Sequence, residues 1–238
     1  MHDYTRFDQY YESLCGDVRA QPPDMAHSEW AIQSALWFLD SDEAGVSGSA
    51  SALKILDVGC GQGFMQPVFA SRGIEWTGVT IGEDYEIASK TYPGRVRNAD
   101  MTFLPFEDGE FDLVFARHVL EHSPFPVITL MEWRRVATKA LCLVAPSPDY
   151  WLWYGQNHYS MTSDIGMEWW LRRAGWMPKT KIVFHSRHDS FLKHLKPYQD
   201  ALNQKDIYKR SPEAVLKVYP KQNVEFRYVC EASEPVIE

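Results

Sequence analysis

Two sets of side chains stand out for what their chemistry and placement allow. The first is Asp57-Val58-Gly59-Cys60-Gly61-Gln62-Gly63, an acid followed by three glycines at alternate positions. Glycine has no Cβ and tolerates positive φ, so such a turn lets the backbone approach a ligand closely. The second set is His118, Glu121 and His122, joined further along by His158. At i, i+3 and i+4 the first three share one face if the segment turns helically. Imidazoles and a carboxylate in that pattern suit proton transfer, with His118, His122 and His158 as candidate catalytic bases. They equally suit a divalent metal bound by His118, Glu121, His122 and His158. Three histidines in that set favour zinc, iron, manganese or cobalt over magnesium.

The pattern around these residues predicts the elements that hold them. Residues 27–39 repeat apolar positions at helical spacing, and 40–51 read as a surface loop. From there apolar β-runs alternate with helices. Strands are expected at 54–58, 75–79, 96–99, 111–116, 140–145, 177–184 and 224–230, and helices at 64–72, 84–90, 126–137 and 167–174. Pro67 fits only in the first turn of its helix. This alternation implies an α/β fold with a mostly parallel sheet covered on both faces. In such sheets ligands bind at the carboxyl ends of the strands. The glycine turn follows the first strand, His118 the fourth and His158 the fifth, so all would meet at that edge.

The glycine spacing itself discriminates between ligands. A dinucleotide turn places its third glycine at position 64, where this chain has Phe64. That argues against a nicotinamide-dependent oxidoreductase. The order of motifs instead resembles class I S-adenosylmethionine-dependent methyltransferases. The resemblance rests on Asp57 to Gly63, on Asn98-Ala99-Asp100-Met101, on the run from Leu104 to Val114, and on Arg117-His118-Val119-Leu120-Glu121-His122. It covers roughly residues 53–145. It implies a Rossmann-like seven-stranded sheet whose last strand is antiparallel. It implies S-adenosyl-L-methionine as cofactor, held by Asp57, Gly59, Gly61, Gly63, Thr80, Asp84, Asp100, Met101 and Arg117. In that reading Asp57 orders the loop and meets the ligand's ammonium side, Asp100 receives the adenine amino group, and Met101 packs on the ring. The family's usual ribose-gripping acid at the end of the second strand is replaced by Thr80, leaving Glu83 or Asp84 to reach the ribose. The histidine cluster also resembles that of metal-dependent O-methyltransferases of small RNA and of the ubiquinone pathway, with His118 where the former carry a glutamate.

The 238 residues fit a single domain, 1–238, with an N-terminal helical lid over 1–40 and an insertion at 186–222 between the last two strands. Five of nine tryptophans fall between Trp151 and Trp176. The aromatic stretch from Tyr150 to Tyr154 suits a planar or sugar-like acceptor. The net charge of −8 argues against charge-driven nucleic-acid binding. Cys15, Cys60, Cys142 and Cys230 form no Cys-x-x-Cys pair, which fits reduced thiols and a cytoplasmic location. There is no run of eighteen apolar residues, so no membrane insertion is expected. The expected activity is methyl transfer to oxygen or nitrogen of a small-molecule acceptor. The alternatives are a metal-dependent O-methyltransferase acting on RNA or a nucleotide-linked sugar, and a non-catalytic cofactor-binding partner subunit. The sequence sets no oligomeric state.

Overall fold

The computed structural model describes residues 25–48, 52–148, 158–186 and 222–236, together with Gln9. Most of the expected lid (1–24 of 1–40), the aromatic stretch 149–157 and nearly all of the insertion lie outside the described residues. The elements are α1 (Met25–Leu39), β1 (Lys54–Val58), α2 (Gln66–Ser71), β2 (Glu75–Thr80), α3 (Gly82–Thr91), β3 (Val96–Asn98), β4 (Phe111–Arg117), α4 (Pro126–Val136), β5 (Ala137–Pro146), α5 (Asp164–Arg173), β6 (Trp176–Ser186) and β7 (Gln222–Ala232). Each lies where the apolar pattern predicts it, within a few residues at its ends. Pro67 sits in the first turn of α2, as its missing N–H requires. Helix α5 is capped by Ser163, whose hydroxyl accepts from Gly166 N.

The seven strands form one sheet in the order β3-β2-β1-β4-β5-β7-β6. Pairings from β3 through β5 are parallel, and β7 runs antiparallel between β5 and β6. The expected architecture, last strand included, is the one observed. Chain order reverses between β1 and β4, and a sheet of this type opens a ligand crevice beyond the carboxyl ends of such a strand pair.

Both faces are buried. On one face Ile55, Leu113, Phe115, Cys142 and Val229 pack with Ala35 and Phe38 of α1, Phe69 of α2 and Ala88 of α3. On the other, Leu56, Val58, Val114, Ala116, Leu143 and Tyr228 pack with Leu130, Trp133 and Val136 of α4 and Leu171 of α5. This two-sided burial makes the strands nearly continuous apolar runs. Two buried tryptophans also fix loops and helix ends. Trp176 donates from Nε1 to Leu130 O at 3.0 Å, and Trp133 to Met101 O at 3.0 Å. The second bond pins the turn after β3 to α4. Trp133→Phe leaves that carbonyl without its donor and a small void in the core. It should lower unfolding free energy by about 1–3 kcal/mol, read by denaturant titration.

Candidate functional site

The glycine turn leaves β1 at the reversal point. Gly59 N and Cys60 N both donate to Val79 O, at 2.9 and 3.0 Å, which ties the turn to the end of β2. Gly59, Gly61 and Gly63 all have positive φ, at 70°, 53° and 84°. Their surroundings differ. A Cβ on Gly59 would stand 2.6 Å from the Val119 side chain, and one on Gly63 2.6 Å from the Tyr92 ring. At Gly61 the nearest atom would be Asp84 Oδ2, at 3.9 Å. Two glycines therefore admit protein packing, and the middle one keeps open a space edged by a carboxylate. A group the size of a Cβ is accommodated at Gly61, in contact with Asp84 alone.

Asp84 is buried, in the first turn of α3, and its Oδ1 accepts from Gln62 Nε2 at 3.1 Å. Burial raises its pKa, partly countered by that bond, with Glu83 raising it further. Thr80 closes β2 beside it and is also buried. Asp84 thus stands at the position edging the Gly61 space. The helical first turn carries it there, four residues beyond the strand end where an acid was sought.

Asp57 is turned inward. It is buried on the α1 face, and its Oδ2 accepts from Trp76 Nε1 at 3.0 Å. Burial pushes its carboxyl up to about 7, against the lowering effect of that bond. Its partner in this structure is the buried indole of β2, so it is not turned to a ligand's ammonium group as the resemblance implies. Asp100 likewise serves its own turn, Oδ1 accepting from Thr102 N at 2.7 Å. Met101 is half-buried against the α4 core. Arg117 ends β4 with its side chain mostly buried, 3.6 Å from Glu225 of β7.

The histidine set divides. The helical face expected from His118 to His122 does not form: His118 has φ 50°, and only a short 3-10 turn, Leu120–His122, follows. The left-handed residue breaks the helical spacing, so His118 leaves the expected metal set and its Nε2 lies 2.9 Å from Glu225 Oε2. Glu121, His122 and His158 do converge, with donor atoms all within 4.8 Å of one another. Backbone bonds make this junction. Tyr159 N and Ser160 N donate to Glu121 O at 2.7 and 3.0 Å, and Ser160 Oγ donates to Ser123 O. The rings of His122 and His158 stand edge to face, 4.9 Å apart. Glu121 is buried, its Oε2 has no hydrogen-bond partner among the described residues, and burial pushes its carboxyl up to about 8. A carboxylate oxygen so placed beside two imidazoles has the donor chemistry of a zinc, iron, manganese or cobalt ligand.

Glu225 is a site residue that the sequence motifs do not include. The signal was there: Glu225 and Arg227 alternate with the apolar Val224, Phe226 and Tyr228, so they share one face of the strand, and the sheet buries it.

Comparison with known proteins agrees with the geometry. A family described as "Methyltransferase domain" matches residues 56–140. An uncharacterized methyltransferase of Mycobacterium sp. (strain JLS) is 30% identical over 189 residues, covering 74% of this chain and 75% of the relative. A ubiquinone biosynthesis O-methyltransferase of Acinetobacter baumannii (strain AYE) is 30% identical over 88 residues, covering 34% and 37%. The crystal structure of a SAM-dependent methyltransferase from Archaeoglobus fulgidus superposes with TM-score 0.60 at 14% identity, covering 97% of this chain and all of that one.

The raised Asp57 carboxyl carries a sign for stability. The folded state holds this proton more tightly than the unfolded chain. Its contribution is therefore complete below about pH 4 and lost as pH rises through about 7. Against Asp57→Asn, which keeps an acceptor for Trp76, the ligand-free wild type should lose on the order of 3 kcal/mol of unfolding free energy between those limits. Denaturant titrations of both proteins across that pH range check it.

Proposed function

The chain belongs to the class I S-adenosylmethionine-dependent methyltransferases, and from that premise we propose that it transfers a methyl group to an oxygen or nitrogen of a small-molecule acceptor. The observation that carries the reading is the Gly61 space with Asp84 at its edge, placed where the sheet order reverses. S-adenosylmethionine supplies a methyl group on a sulfonium, which needs in-line approach of a nucleophile more than it needs acid–base power. Gly61 gives the cofactor close backbone approach, and Gly59 and Gly63, packed by Val119 and Tyr92, shape the turn that presents it. Asp84, steadied by Gln62, takes the ribose hydroxyls in place of the acid that Thr80 lacks. Asp100 and Met101 receive the adenine, and Arg117 closes the far side of the crevice. Asp57 supports the loop from within the sheet. His118, His122 and His158 line the acceptor side as candidate bases. The stretch of likeness to a relative named for O-methylation favours oxygen as the acceptor atom. The aromatic residues 150–154 favour a ring or sugar as the group that carries it. The family makes the chain an enzyme, so the partner-subunit alternative is not favoured.

No helix among the described residues is long and apolar enough to cross a membrane. Cys60, Cys142 and Cys230 are free and buried, which supports the expected reducing, cytoplasmic setting.

Calorimetric titration with S-adenosylmethionine tests the cofactor site. Wild type should bind, and Asp84→Ala should weaken binding about tenfold or more, the loss of hydrogen bonds to a charged acceptor. Unchanged affinity would remove Asp84 from the ribose. A methyl-labelled assay on 3,4-dihydroxybenzoate, free hexoses and nucleoside-diphosphate hexoses then reads the acceptor class.

A second reading adds a divalent metal at Glu121, His122 and His158. The orphaned Glu121 oxygen favours it, since a cation would keep ionised a carboxyl that burial otherwise leaves protonated. Such an ion would orient a hydroxyl acceptor and favour its deprotonated form. Protein purified without chelator should carry about one transition-metal ion per chain, and His122→Ala should carry far less. Equal and negligible metal in both would sink this reading.

A further inference from the structure

Glu225 lies outside every motif that carries the family resemblance. It is fully buried in β7, opposite Pro146 at the carboxyl end of β5. Its Oε1 accepts from Arg227 Nε at 2.7 Å, with Arg227 Nη2 paired at 2.6 Å. Its Oε2 faces His118 Nε2 at 2.9 Å and Arg117 Nη2 at 3.6 Å. Two guanidiniums already balance this carboxylate, so His118 is not needed to neutralise it.

His118 reaches Glu225 at a cost. Arg117 shares the sheet face of Phe115, and a continued strand would turn residue 118 to the other face. A φ of 50° brings the ring back to Glu225. His118 is the one non-glycine residue with positive φ among the described residues. Such a conformation costs about 1–3 kcal/mol and persists where surrounding structure enforces it, most often at functional sites. The next residue, Val119, is the one that packs on Gly59 of the glycine turn. The strained histidine therefore sits beside the cofactor loop.

We propose that Glu225 is a positioning residue for methyl transfer: it accepts a hydrogen bond from His118 Nε2–H and so makes Nδ1 the proton-accepting atom of the ring. The proposal rests on the methyltransferase reading. In the step it serves, a lone pair of the acceptor oxygen forms the bond to the methyl carbon. The carbon–sulfur electron pair stays on sulfur, and the acceptor's proton passes to His118 Nδ1. The imidazolium so formed is balanced by Glu225. That carboxylate does not take the proton itself. Burial would raise its pKa, but the bond from His118 and the charges of His118, Arg117 and Arg227 bring it down to about 2.

The test is the histidine 15N spectrum of the full chain with S-adenosylhomocysteine bound, the His118 signal being assigned with His118→Gln. Wild type should show neutral His118 protonated on Nε2, and Glu225→Asp should keep that form. In Glu225→Gln the carbonyl oxygen stays with Arg227 and the amide N–H2 turns to His118, so the ring should switch to the Nδ1–H form. On the acceptor panel, Glu225→Gln should lower kcat at least 100-fold, as an orienting acid does when its loss selects the wrong tautomer. KM for the cofactor should stay unchanged, and Glu225→Asp should restore much of the rate. A wild-type ring protonated on Nδ1 overturns the proposal and needs no variant to fold. So does a tautomer indifferent to Glu225→Gln. Failure of wild type to bind S-adenosylhomocysteine overturns the methyltransferase reading beneath it, and calorimetry reads that separately from the tautomer.

Discussion

A parallel sheet buried on both faces leaves little room for polar side chains. In its central strands the backbone pairs with both neighbours, and most side chains meet an apolar helix face. Polar groups therefore collect largely near the strand ends, and the order of the strands reverses between β1 and β4. The glycine turn, Asp84, the Glu121–His122–His158 cluster and the His118–Glu225 pair all lie at or beside that edge. Their grouping is a consequence of strand order before it is a matter of any one residue.

The acids that sit inside this architecture show how strictly the constraint applies. Asp57 has an indole partner, Glu225 has two guanidiniums and an imidazole, and Glu121 has an oxygen with nothing to accept from among the described residues. A buried carboxylate is tolerated when paired and costly when not. The first two are thereby fixed as ionisable parts of the scaffold. The third is not so paired, and it lies beside His122, which is exposed.

Much of the fold was legible in the residues because the physics behind it is local. Apolar periodicity marked every strand and helix, Pro67 marked a first turn, and the missing glycine at Phe64 separated one nucleotide-binding turn from another. The site was legible only where its members adjoin in sequence. Glu121 and His122 adjoin in sequence, and the structure brings His158, which follows β5, beside them. The spacing misplaced His118, since periodicity assumes regular backbone and a single left-handed residue cancels it. Asp57 was read as facing the ligand because its position in the motif says nothing of Trp76, nineteen residues on. Glu225 is 107 residues from His118, and no local rule joins them. Only the antiparallel register of β7 against β5 does.

That register has a bearing on how the molecule comes into being. Strand β7 is made after β6 yet lies between β5 and β6. As the chain is made, β6 precedes its only sheet neighbour, and its observed place exists only once β7 has paired with β5. The same insertion delivers Glu225 to a histidine that was synthesised long before. A chain stopped before β7 thus holds every residue of the glycine turn but lacks Glu225. The strand that completes this order is also the one that carries Glu225, so closing the sheet and pairing that histidine are one event.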